Sequence, residues 1–126
     1  MTVSEMSVLI CDDSVFARTK LKNYILTLGV KTVYEAIDGQ EAVDKYIQFR
    51  PTVAFVDIVM PIKSGIDVAT EIVEFDKNAK VVMASSVGTQ NYLKEAINAG
   101  AYEFLQKPLS NEQVGKILEI IAKGVK

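Results

Sequence analysis

Short apolar runs alternate with longer amphipathic segments along the whole chain. Val8-Leu9-Ile10-Cys11, Val53-Ala54-Phe55-Val56 and Val81-Val82-Met83-Ala84 are continuous apolar stretches, the signature of strands covered on both faces. They predict strands over 7–11, 53–57 and 80–84. Residues 32–36 alternate in character and read as a strand nearer a sheet edge, and 103–105 as a short fifth strand. Between them the apolar positions recur at helical spacing. Ser14 caps a helix with Ala17, Leu21, Tyr24, Ile25 and Leu28 inward and Gly29 as its stop. Asp38, with Glu41 three positions on, opens a second helix that buries Ala42, Val43, Tyr46 and Ile47 and closes at Pro51. Val68, Ala69, Ile72 and Phe75 give the inward stripe of a helix over 65–76, and Leu93, Ala96 and Ile97 that of a helix over 89–99. Ser110 and Gln113 form a capping pair ahead of Val114, Ile117, Leu118 and Ile121.

Five strand–helix alternations imply a parallel sheet with helices on both faces. Closing a barrel needs about eight such units, so the sheet is expected to be open. The 126 residues suit a single domain. A formal net charge of −2, with acids and bases interspersed, offers no basic footprint for nucleic acid or for anionic lipid. No run reaches the roughly 18 apolar residues of a membrane span, and the first residues lack the pattern of a leader. The one cysteine, Cys11, sits in an apolar run, which fits a core residue in a reducing, cytoplasmic setting. There is no histidine, so histidine triads and the commonest zinc sites are excluded within one chain.

In a parallel sheet the C-terminal ends of all strands share one edge, where open α/β sheets bind ligands. Asp12 and Asp13 follow the first strand, Asp57 ends the third, Ser85 follows the fourth and Lys107 the fifth. Three crowded carboxylates call for a counter-charge. A hard cation with oxygen ligands supplies it, Mg²⁺ being the best match, and keeps waters that a phosphate can displace. Lys107 then serves as a point charge for phosphate oxygens, Ser85 as a hydrogen-bond donor, and Asp57 as the nucleophile that forms an acyl phosphate. A plain salt-bridge cluster at the top of the sheet is the competing reading.

Asp12-Asp13-Ser14, Asp57 with Met60-Pro61 and Gly65, Ser85, and Lys107-Pro108 occur in an order and spacing that resembles the receiver domain of two-component response regulators. Within that family the likeness is greatest to the single-domain chemotaxis regulators, and it spans nearly the whole chain. The fold it implies is flavodoxin-like, an open five-stranded parallel sheet in the order 2-1-3-4-5, (βα)5, forming one receiver domain over 1–126 with no output domain. The resemblance also implies roles. Asp57 accepts a phosphoryl group from a sensor histidine kinase. Asp13, Asp57 and the backbone carbonyl of Val59 bind Mg²⁺ directly, and Asp12 acts largely through water. Ser85 and Lys107 hold phosphate oxygens, Lys107-Pro108 is a cis peptide, and Phe104 is a switch aromatic that turns inward with Ser85. The expected output is binding of a downstream protein through the fourth helix, fifth strand and fifth helix. Chemotaxis and flagellar motor control is the leading pathway, with a stand-alone receiver in a phosphorelay or stress-signalling pathway as the alternative.

Two positions depart from many relatives. Val59 and Val87 stand two residues after Asp57 and Ser85, where polar or acidic side chains often influence the hydrolytic water. They are expected to protect the acyl phosphate, so that self-dephosphorylation is slow and a separate phosphatase is called for. Three other classes compete with this reading. A turnover phosphatase of the haloacid-dehalogenase type would need an acidic residue where Val59 stands. A mononucleotide binder would need a phosphate-cradling loop where Asp12 and Asp13 repel phosphate. An inert interaction module would have no use for the five polar residues together. The protein is therefore expected to catalyse its own aspartyl phosphorylation and dephosphorylation without being a turnover enzyme.

Overall fold

The computed structural model describes residues 1–86 and 90–124. After a short 3-10 turn at Val3–Glu5 come β1 (Ser7–Cys11), α1 (Val15–Thr27), β2 (Thr32–Ala36), α2 (Gly39–Phe49), β3 (Val53–Asp57), α3 (Gly65–Phe75), β4 (Val81–Ser85), a 3-10 turn at Gln90–Tyr92, α4 (Leu93–Asn98), β5 (Glu103–Gln106) and α5 (Asn111–Ala122). All strand pairs are parallel and the order is β2-β1-β3-β4-β5. The alternating β2 is an edge strand, as its sequence pattern implied, while β3 and β4 are buried along their full length.

Side chains of a strand alternate between faces, and the core divides accordingly into two clusters. Leu9 and Cys11, Ala54 and Val56, and Val81 and Met83 pack on the side of α2 and α3. Val8 and Ile10, Val53 and Phe55, and Val82 pack on the side of α1 and α5, against Ile25, Val114, Leu118 and Ile121. Four helix starts are fixed by side-chain caps. Ser14 accepts from the Ala17 amide, Asp38 from Glu41, Ser64 from Asp67 and Ser110 from Gln113, each contributing about 1 kcal/mol. Glu41 reaches back to the amide of Ile37 at 2.8 Å, which completes the device at α2.

The structure corrects several inward assignments. Ile47 is 44% exposed, because the stripe of α2 that meets the sheet is Ala42, Val43 and Tyr46. Phe75 is 40% exposed; its ring lies edge-on to Tyr46, with the Arg50 guanidinium 4.8 Å above it. Leu93 and Ile97 are 45% and 61% exposed, since α4 seats its small residue Ala96, with Ala99 beyond it, against the core. That helix begins at Leu93 after a 3-10 turn and lacks a side-chain cap. The fourth strand lies one residue later than the apolar run suggested, so Ser85 is inside it and pairs with Gln106, which extends β5 by one residue as well.

Two backbone positions shape the loop after β3. A Cβ on Gly65 would collide with the carbonyl oxygen of Asp57 and stand 2.7 Å from Ile58 Cα, so α3 starts in direct contact with the tip of β3. Ile62 has φ 72°, and the Lys63 amide donates to Pro61 O at 2.8 Å. This is a tight three-residue turn of the strained kind, in a region that β-branched residues seldom occupy. Gly65→Ala is expected to lower stability by roughly 1–3 kcal/mol through overpacking, whereas Ile62→Asn relieves strain and raises it by about 1 kcal/mol. Urea unfolding of the two variants checks both signs.

Candidate functional site

The strand tips are held in place by backbone bonds that continue the ladders past the strands. The Asp12 amide donates to Ala36 O at 3.1 Å, Ile58 to Ala84 O at 3.1 Å, and Lys107 to Ser85 O at 2.6 Å. Asp12 and Asp57 continue the alternation of Ile10 and Phe55, so both carboxylates rise on the α1/α5 side of the sheet. Lys107, two positions beyond the similarly oriented Leu105, arrives from β5 on that same side. Its ammonium lies 2.7 Å from Asp12 Oδ2 and 3.1 Å from Asp57 Oδ2. Asp12 Oδ1 also accepts from the Ser14 amide at 2.9 Å. Asp13 is exposed at the margin, and carboxylate oxygens of Asp12, Asp13 and Asp57 lie within 4.8 Å of one another.

Ser85 continues the alternation of Met83 and belongs to the opposite face. It is fully buried, and its hydroxyl donates to Ser86 O at 3.1 Å. Phe104 pairs with Met83 across β4 and β5 and packs, half-buried, against the cluster on that face. The Lys107-Pro108 peptide is cis. Val59 is 59% exposed, with its amide donating to the Asp57 carboxylate. Val87 lies outside the described residues.

The electrostatics follow from burial and crowding. Burial pushes the Asp57 carboxyl above its ordinary pKa, and the Asp12 charge adds to the push; Lys107 and the Val59 amide pull the other way without cancelling it. Burial opposes the Lys107 ammonium too, but its bond to Asp12 and the charge of both carboxylates outweigh that and raise its pKa. Three carboxylates thus face a single ammonium. The surplus negative charge and the hard oxygen donors fit a divalent cation, and this is the grouping of potential metal-ligating side chains found among the described residues. Burial drives the Cys11 thiol far above its usual range, so it is an inert core residue.

One contributor was not apparent from the sequence. Arg18, on the second turn of α1, donates to the carbonyl of Asp12 at 2.8 Å and pairs with Glu35 on β2 at 3.2 Å. It braces the β1 tip from the flank. Its one sequence signal is its place four residues after the Ser14 cap, on a turn that must face the sheet edge.

An open parallel sheet with a buried carboxylate, two neighbouring acids and a lysine at its C-terminal edge defines a class of α/β proteins with an acidic, cation-ready edge. Residues 8–119 match the response regulator receiver domain, and the chain belongs to that family. It is 41% identical to the chemotaxis protein CheY of Thermotoga maritima over 116 residues, covering 92% of this chain and 97% of that one. It is 38% identical to the chemotaxis protein CheY of Listeria monocytogenes, covering 94% and 99%. Among solved structures, CheY in the CheX-CheY-BeF3-Mg²⁺ complex from Borrelia burgdorferi superposes with a TM-score of 0.85 at 36% identity, covering 96% of this chain and 90% of that one. The protein is a two-component receiver domain similar to these chemotaxis regulators, and no helix among its described residues is long and apolar enough to cross a membrane.

A carboxyl whose folded pKa is raised holds its proton more tightly in the folded state. Its contribution to stability is therefore greatest at low pH and declines as pH rises through the folded pKa. In metal-free buffer Asp57→Asn should accordingly stabilise the protein at neutral pH, with the gain shrinking towards pH 3. Denaturant midpoints measured across that range check the sign.

Proposed function

We propose that this receiver is a phosphorylation switch whose acceptor is Asp57. The observation that carries the reading is the position of its carboxylate, buried at the tip of β3, 3.1 Å from Lys107 and grouped with Asp12 and Asp13. The donor is a phosphohistidine on a sensor histidine kinase. An Asp57 oxygen attacks phosphorus, the P–N bond breaks, and the imidazole departs with the electron pair and takes up a proton. Asp13, Asp57 and the Val59 carbonyl would hold Mg²⁺, with Asp12 acting through water. When bound, Mg²⁺ supplies the positive charge that lets an anionic phosphoryl group approach three carboxylates. Lys107 takes one phosphoryl oxygen and Ser85 another.

Activation is a population shift between two packings that the phosphoryl contacts bias. Ser85 and Phe104 on adjacent strands of one face support a coupled movement in which the ring turns inward as the hydroxyl engages the phosphate. The signal is read by a protein that docks on α4, β5 and α5, where Tyr92, Leu93 and Ile97 stand exposed. The likeness to chemotaxis regulators favours a flagellar-switch target and a cytoplasmic setting. The chain catalyses its own phosphorylation and dephosphorylation rather than turning over a metabolite. With apolar Val59 beside the acceptor, the acyl phosphate is long-lived and its removal falls to a separate phosphatase.

Intact mass after incubation with acetyl phosphate and Mg²⁺ tests the acceptor. One added phosphoryl group is expected, absent without Mg²⁺ and absent in Asp57→Ala. No labelling by acetyl phosphate or by a cognate kinase would reduce the domain to an interaction module. Val59→Asn should shorten the half-life of the phosphorylated protein, because an amide there can hold a water against the phosphoryl group. An unchanged decay would remove Val59 from that role.

A further inference from the structure

A cavity of about 360 Å³ lies between α1 and the loop that joins β5 to α5, and Asp57 forms part of its wall. Phe16, Ala17 and Leu21 from α1, and Pro108 and Leu109 from the loop, supply its apolar sides. The position follows from strand alternation. Asp57 shares its face with Phe55, on the α1/α5 side, so the space beside the carboxylate opens towards these two elements. The volume is that of a small-ligand site, roughly 300–1,000 Å³, whereas a phosphoryl group alone needs far less. Phe16 is 78% exposed, so the ring at this margin is reachable from solvent. An apolar compartment thus adjoins the nucleophile of the switch.

We propose that this cavity makes the domain selective among small-molecule phosphodonors, favouring acyl phosphates with an apolar acyl chain longer than acetyl. The inference rests on Asp57 being the phosphoacceptor. In the reaction an Asp57 oxygen forms a bond to phosphorus while the bond from phosphorus to the acyl oxygen breaks. The carboxylate departs with the electron pair, so charge and atoms balance without a further reagent. The acyl chain packs against Phe16, Ala17, Leu21 and Leu109, and the phosphoryl group stays with Lys107. Acetate and butyrate have closely matched acidities, so acetyl and butyryl phosphate share the same intrinsic leaving-group tendency. A difference between them therefore reports burial of the two additional methylenes.

The test compares initial rates of phosphorylation by acetyl and butyryl phosphate, read by intact mass at one Mg²⁺ concentration. Butyryl phosphate is expected to show a kcat/KM higher by on the order of tenfold, the low end of what apolar pocket contacts of this size provide, chiefly through a lower KM. Ala17→Leu, which fills the cavity, and Phe16→Ala, which removes an exposed wall at little risk to folding, should each bring the butyryl-to-acetyl ratio towards one. Equal kcat/KM for the two donors on the unaltered protein overturns the selectivity and leaves the phosphoacceptor reading standing. A preference that persists undiminished in both variants also overturns it, since the cavity would not be its source. Failure of both donors and of a cognate kinase to label Asp57 would instead remove the reading on which the inference rests.

Discussion

Lys107 reaches across 95 positions of sequence to Asp12 and across 50 to Asp57, and the edge of the sheet is arranged around that double contact. Two carboxylates that are almost fully buried would repel each other and resist ionisation if they faced each other alone. One ammonium between them makes the arrangement tolerable without neutralising it. The parallel register of β1, β3, β4 and β5 is what allows a residue from the last strand to serve acids delivered by the first and third. The backbone bond from the Lys107 amide to Ser85 O sets where the side chain can reach.

The residual negative charge is the useful part of the design. The acids leave a net negative charge that fits a divalent cation, and the lysine keeps a positive group beside them. The site combines both because Asp13 remains exposed while Asp12 and Asp57 are enclosed. Close backbone approach adds rigidity, since Gly65 lies against the carbonyl of Asp57 and ties the start of α3 to the tip of β3. Arg18 does the same for β1 by holding the Asp12 carbonyl.

The parallel sheet and the gathering of Asp12, Asp13, Asp57 and Lys107 were legible in the sequence, and the strand order came with the resemblance to receiver domains. Apolar runs at period two or unbroken identify strands, and parallel pairing then dictates which ends meet. Side-chain exposure on the outer helices was less legible. Leu93 and Ile97 have the spacing of a buried stripe, yet α4 docks through Ala96, because a small residue lets a helix approach closely and turns its larger neighbours outward. Ile62 gave no sign of its left-handed backbone, since composition favours glycine or asparagine there and the strain is set by the turn between Pro61 and Lys63. Ser85 was read as following the fourth strand, and the structure makes it the last residue of that strand, a boundary that an apolar run ending at Ala84 does not mark.

Strand alternation divides the sheet edge between its two faces. Asp12, Asp57 and Lys107 meet on the α1/α5 side, while Ser85 and Phe104 belong to the side of α2 and α3. The two sets are linked through the backbone, since the Ile58 amide is bonded to Ala84 O and the Lys107 amide to Ser85 O. A shift of the β4 tip is therefore felt on both faces of the sheet at once.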